Sequence, residues 1–132
     1  MDRIVQIVTG SICAICGFVW GEINGLLLAL IAFMVLDYIT GLSVAVVKKE
    51  LSSAVGFKGI FKKVIILILV GVGNILDVHV LGEGSICRSA VIGFYLANEG
   101  ISILENAGKL GLPLPKKLLE ILKQLKNKED EE

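Results

Sequence analysis

The sequence predicts an all-α integral membrane protein with four transmembrane helices and a short amphipathic helix near the C-terminus. Two observations carry this prediction. Hydrophobic residues make up 55% of the 132 residues, and the mean hydropathy is +0.80, whereas a soluble domain is typically about 45–50% apolar even with glycine included. The apolar residues also collect in four runs, and the second run has the length needed to cross a bilayer core of roughly 30 Å.

The four runs define predicted spans at residues 4–20, 26–47, 64–79 and 86–104. The first span is near the lower limit of about 17 residues. Small residues recur along one of its faces, and small residues let two helices approach closely in lipid. This predicted helix-packing face consists of Gly10, Ala14, Gly17 and Gly21. The alternative is a glycine-tolerant helix that faces lipid.

Polar residues share one face in each of the last two spans. The third span places Lys63, Asn74 and Asp77 on one side at 100° per residue. The fourth span is the least hydrophobic, and its polar stripe falls within about 40° of arc. The stripe consists of Arg88, Tyr95, Glu99, Ser102 and Asn106. Such a face cannot turn to lipid and must contact other helices or water.

Residues 107–132 are expected to form a cytoplasmic linker, an amphipathic helix and a charged tail. Pro113 and Pro115 interrupt any helix there, because proline cannot continue one. An apolar side then recurs over residues 116–126, formed by Leu118, Ile121, Leu122 and Leu125. The acidic residues 129–132 are typical of a solvated tail.

Five lysines between the second and third spans predict the orientation of the chain. They are Lys48, Lys49, Lys58, Lys62 and Lys63. Short lysine-rich loops stay on the cytoplasmic side of a membrane. With four spans, both termini are then also cytoplasmic, and the turns at Glu22 and Gly82 lie outside.

Charged residues within the spans are the candidate functional residues. A charge in the hydrocarbon costs roughly 2.5–3.5 kcal/mol on insertion scales, so Asp37 needs a partner. The charges either pair with one another inside a monomeric bundle, as arginine with acid, or line a water-filled space between subunits. The candidate pore or oligomer contacts are Asp37, Gly41, Asp77, Arg88, Tyr95, Glu99, Ser102 and Asn106.

Several other functions have no support in the sequence. Basic and acidic residues balance at 13 each, which excludes a nucleic-acid binder held by a broad basic field. Nucleophile, phosphate-loop and zinc-protease motifs are absent, so neither an enzyme nor a cofactor is expected. Cys13 and Cys16 form a C-x-x-C within the first span, without a second pair or a nearby histidine, and are interpreted as packing residues.

Four spaced segments of the chain resemble the phage lysis and toxin-secretion holins of Gram-positive bacteria and their phages. They read LDYITGL at residues 36–42, GFKG at 56–59 followed by Lys62 and Lys63, NEGISILEN at 98–106, and GLPLP at 111–115. The resemblance extends in order over most of residues 30–125, whereas the first span carries no matching motif.

This resemblance implies a small, non-enzymatic, multi-pass protein of the bacterial cytoplasmic membrane. Holins accumulate there and then assemble into homo-oligomeric lesions that release an endolysin to the cell wall, or are linked to export of large toxins. The implied partners are other copies of the chain, the lipid bilayer, and the endolysin or toxin as cargo. The alternative is an antiholin-like inhibitor or scaffold that makes no hole.

Overall fold

The structure is a computed structural model that describes residues 2–131, with side chains described for residues 2–128. It is built from five α-helices: α1 (Asp2–Trp20), α2 (Gly25–Val47), α3 (Ser53–Ile75), α4 (Ile86–Lys109) and α5 (Lys116–Glu131). Helix α3 continues directly as a π-helical turn at Leu76–Val80. The predicted all-helical fold class is therefore confirmed for the residues described.

Three helices of the described chain are long and apolar enough to cross a membrane. They are α1, α2 and the continuous helix formed by α3 with its π-helical turn, over Ser53–Val80. Helix α4 is not among them, in keeping with the polar stripe that its sequence carries. Membrane-spanning helices are thus supported, whereas the fourth span stays a prediction.

Helix α3 begins well before the predicted third span. The side chain of Ser52 accepts a hydrogen bond from the backbone N–H of Val55 at 3.2 Å, which is the arrangement of an N-cap. The connector after α2 is correspondingly short. Lys49 has φ 58°, and the N–H of Glu50 donates to the carbonyl of Ala45 at 2.8 Å, as in a Schellman motif. The third helix therefore contains Lys58, Lys62 and Lys63, which the sequence interpretation assigned to the connector.

Helices α2, α3 and α4 form the core of the molecule. The buried core side chains are Leu27, Leu30 and Met34 of α2, Ile66 and Val70 of α3, and Ile92 of α4. Gly73 lets α3 approach α4 closely, because a Cβ built there would lie 3.0 Å from the carbonyl oxygen of Cys87. The α3 and α4 backbones can approach closely at this point because Gly73 has no side chain between them.

Helix α1 is the least enclosed helix. None of its described residues is buried, and in the described chain α3 is the helix that it packs against. Of its predicted packing face, Gly21 contacts Asn74, whereas a Cβ on Gly10 or Gly17 would meet none of the described atoms within 4 Å. Most of that face is therefore unused within one chain.

Helix α5 folds back along α4. Leu114 lies against Gly108, and Leu122 lies against Gly100, so the two helices run antiparallel. Only part of the predicted apolar side faces α4: Leu122 is buried, whereas Leu118 and Ile121 are 45% and 52% exposed. The helix also continues through Glu131, beyond its predicted end at Lys126. The backbone of the predicted charged tail is therefore helical up to Glu131, while the side chains after Lys128, and all of Glu132, lie outside the described residues.

The α3–α4 contact gives a matched pair of glycine substitutions. We expect Gly73→Ala to lower the free energy of unfolding by about 1–3 kcal/mol, because the added methyl group meets the α4 backbone. Gly10→Ala adds the same methyl group into open space among the described residues, and should raise helix stability by up to about 1 kcal/mol. Thermal unfolding in detergent, followed by circular dichroism, measures both, and equal effects would contradict the packing described.

Candidate functional site

Lys63 of α3 lies between two carboxylates from different helices. Its Nζ is 2.8 Å from Asp37 Oδ2 of α2 and 2.9 Å from Glu99 Oε2 of α4. We call these three residues the acid–lysine cluster. Their side chains are 17%, 16% and 8% exposed, in the order Lys63, Asp37, Glu99. One ammonium group therefore joins the three core helices.

Amide and hydroxyl groups complete the environment of Asp37. Asn106 of α4 donates from Nδ2 to Asp37 Oδ1 at 3.1 Å and to Thr40 Oγ1 at 2.9 Å. Thr40 in turn donates to the backbone carbonyl of Asp37 at 3.1 Å. Gly41 leaves room for this contact, because a Cβ there would lie 3.7 Å from Asn106 Nδ2. Both carboxylate oxygens of Asp37 thus have partners, one on α3 and one on α4.

Tyr38 packs beside the cluster on a glycine surface of α3. A Cβ on Gly59 would lie 3.2 Å from the Tyr38 ring. The Tyr38 hydroxyl donates to the carbonyl of Gly56 at 3.4 Å. The two glycines of the GFKG segment therefore seat the aromatic ring of the LDYITGL segment. This contact holds α2 and α3 at the height that brings Lys63 to Asp37.

An open cleft of about 310 Å³ adjoins the acid–lysine cluster. Its polar lining consists of Asp37, Tyr38, Lys62, Lys63, Glu99, Ser102 and Asn106. Asp37 and Glu99 share the ammonium group of Lys63, and the side chain of Lys62 lines the same cleft. The cleft thus brings these polar side chains together at the surface of a bundle that is rich in exposed apolar side chains.

A second polar site holds the start of α4. Asp77, only 1% exposed, lies in the π-helical turn. Its Oδ1 and Oδ2 accept from the backbone N–H groups of Cys87 and Arg88, at 2.9 and 2.8 Å. These N–H groups are otherwise unpaired at a helix start, and a carboxylate is the favoured partner there. Asp77 therefore caps α4 from a neighbouring helix.

Arg88 and Asn74 hold the turn between α1 and α2. Arg88 donates from Nε to the carbonyl of Trp20 at 2.9 Å and from Nη2 to that of Glu22 at 2.7 Å. Asn74 donates from Nδ2 to the carbonyls of Val19 at 3.0 Å and Phe18 at 3.3 Å. We call Asn74, Asp77 and Arg88 the turn clamp.

The predicted pore or oligomer contacts thus lie at three places in the bundle. The cleft brings together Asp37, Gly41, Glu99, Ser102 and Asn106. Asp77 and Arg88 belong to the turn clamp, and Tyr95 packs against the apolar core. Arg88 donates to backbone carbonyls, and the cation beside Asp37 and Glu99 is Lys63.

Sequence reasoning missed two members of these sites. Lys63 was interpreted as an orientation signal, although its position on the same face as Asn74 and Asp77 indicated an inward direction. Trp20 was not singled out, yet its indole Nε1 donates to the carbonyl of Leu67 at 2.7 Å. No sequence signal identifies that contact, because it depends on where α1 ends beside α3.

Comparisons with known proteins point to one family. The model of a family described as the bacteriophage holin family matches residues 5–127. A probable holin of Bacillus phage phi105 is 31% identical over 114 residues, which cover 86% of this chain and 83% of the phage protein. An uncharacterised protein of Listeria monocytogenes is 48% identical over 125 residues, covering 90% of this chain and 86% of the relative. No solved structure matches the chain.

The acid–lysine cluster can be tested with a neighbouring lysine as the control. We expect Lys63→Met to lower the free energy of unfolding by about 3–5 kcal/mol, because it leaves two partly buried carboxylates without their cation. Lys62→Met removes the same group from an exposed side chain and should have little effect. Unfolding of both variants in detergent measures the difference. Similar stabilities for the two variants would show that Lys63 is not paired as described.

Proposed function

The chain belongs to the bacteriophage holin family, and from that premise we propose that it is a holin that oligomerises in the cytoplasmic membrane to form holes. The observation that carries the proposal is the acid–lysine cluster in its open polar cleft. Three of the four segments by which the chain resembles holins meet there: residues 36–42, 56–63 and 98–106. The resemblance is thus concentrated on one three-helix site rather than on general hydrophobicity.

We propose four spans, with both termini in the cytoplasm. Three helices have the required length and hydropathy. Helix α4 qualifies by position, because it packs against α2 and α3 and directs Glu99 and Asn106 to partners inside the bundle. The lysines around the α2–α3 connector favour the cytoplasmic side for that end of the bundle.

We propose that the cleft faces other subunits or water when a hole forms. Within one chain Lys63 neutralises only part of the cluster, and the cleft leaves Asp37, Ser102 and Asn106 beside open space. Charged groups within a membrane face protein or water rather than lipid. The polar stripe of α4, from Tyr95 to Asn106, then contacts neighbouring subunits or faces the water in the hole. The glycine face of α1 is a second contact for other copies, because Gly10 and Gly17 are open among the described residues.

The expected cargo is an endolysin or a large toxin that passes through the lesion without a dedicated binding site. The alternative is an antiholin-like membrane protein that binds a holin and makes no hole. A bundle whose ion pairs form inside one chain suits either function before assembly. Assembly and leakage therefore discriminate between them.

Release of entrapped protein from liposomes tests the proposal. The purified protein is reconstituted into liposomes that contain a folded protein of endolysin size. We expect time-dependent release together with crosslinked species larger than dimers, because a hole of that size needs several copies of so short a bundle. A protein that inserts, stays monomeric or dimeric and releases nothing would contradict the holin function and favour the antiholin-like alternative.

A variant with both Gly10→Leu and Gly17→Leu serves as the assembly control. A Cβ at either position would meet none of the described atoms within 4 Å, so we expect the fold to be kept while the leucine side chains block close approach of a second α1. Slower release with thermal stability unchanged or raised is the expected result. Unchanged release and crosslinking would show that α1 is not part of the contact between subunits, and would leave the conclusion from the wild-type protein unchanged.

A further inference from the structure

Among the described side chains of α5, Leu122 is the buried one, and it fills a notch on α4. Leu122 is 8% exposed, whereas Leu118 on the same helix is 45% exposed. The two Cδ atoms of Leu122 lie 2.9 Å from the position of a Cβ built on Gly100, and Phe33 Cε2 of α2 lies 3.1 Å from it. The notch therefore consists of Gly100 and Phe33, and Leu122 fills it because residue 100 has no side chain.

The docked position of α5 reaches far along α4. Gly100 directly follows Glu99 of the acid–lysine cluster, so Leu122 lies at the height of the cluster rather than at the end of the bundle. Beyond Leu122, the antiparallel course of α5 continues toward the start of α4. It carries Lys123, Lys126 and Lys128 in that direction.

This position conflicts with lipid contact on the same side of α4. If α4 spans the membrane with lipid on that side, docked α5 places its lysines in the hydrocarbon, where charged side chains are rare and costly. The α4 residues that share the face of Gly100 are Gly93, Ala97 and Leu104, all buried and all without polar side-chain atoms. This face carries no polar side chain that would oppose contact with lipid.

We infer that docked α5 is an autoinhibitory cover that holds α4 back from full exposure to lipid as the fourth span. Release of Leu122 from the notch lets α5 move away about the linker after α4 and lets lipid cover α4. Gly111, with φ 92°, ends α4, and Pro113 and Pro115 keep the following segment non-helical, so the linker is a defined hinge. This inference rests on the proposed holin function, because the step that α5 restrains is the formation of the hole.

A reversible tether tests the cover directly. The parent protein for this test has Cys13, Cys16 and Cys87 replaced. Adding Gly100→Cys and Leu122→Cys to it puts one thiol on each side of the Leu122–Gly100 contact, close enough to form a disulfide. We expect the oxidised protein to release entrapped protein from liposomes more slowly than the parent by roughly tenfold or more. Reduction should restore the parent rate. The matched control is Leu122→Cys alone in the same cysteine-free background, which lacks the second thiol and whose release rate should not change on oxidation.

A pair of truncations tests the same contact without a crosslink. Leu122→Ala should speed release several-fold at equal protein level by weakening the docked state, and Leu118→Ala removes the same atoms from an exposed position and should leave the rate unchanged. The inference is overturned if the disulfide does not form, if the tethered protein releases at the parent rate, or if the two truncations behave alike. A parent that releases nothing under either redox condition contradicts the proposed function itself, and so is distinguishable from failure of the cover alone.

Discussion

The contact of Lys63 with Asp37 and Glu99 sets how the three core helices fit together. A charge in the middle of an apolar helix needs a partner, and here each helix supplies one member of the set. The contact requires α3 to begin at Ser53, so that Lys63 lies well within the helix and level with the two acids. The glycine surface that seats Tyr38, and the Asn106 amide, are arranged around this requirement.

The turn clamp organises the opposite end of the bundle by a different principle. There the charged side chains form hydrogen bonds with backbone atoms. Asp77 accepts hydrogen bonds from N–H groups at the start of α4, and Arg88 donates one to the carbonyl of Trp20 at the end of α1. Helix α1 is therefore anchored at its last turn, while its earlier residues make few contacts. The described chain thus combines a core of α2, α3 and α4 with two further helices, α1 packed on α3 and α5 packed on α4.

Much of the fold follows from hydropathy, whereas the site depends on helix height and rotation. The predicted spans at 4–20 and 26–47 match α1 and α2 closely, and the start of α4 at Ile86 is as predicted. Helix α3 begins 11 residues before the predicted third span, because Ser52 caps it at Ser53 and its lysine-rich first turns lack the apolar pattern that predicts a span. Asp37, Glu99 and Asn106 could be named from the sequence as intramembrane polar residues. Their cationic partner could not be named from the sequence, because the choice between Lys63 and Arg88 depends on how far α3 is shifted along α2.

A double-mutant cycle on the free energy of unfolding measures the central interaction most directly. The wild type, Lys63→Met, Glu99→Gln and the double variant are unfolded in the same detergent. Because Lys63 and Glu99 are in contact at 2.9 Å, the cost of the double change should fall short of the summed single costs by about 0.5–3 kcal/mol. Additivity within about 0.3–0.5 kcal/mol would show that the two groups do not interact, and would contradict the acid–lysine cluster as the element that joins the core helices.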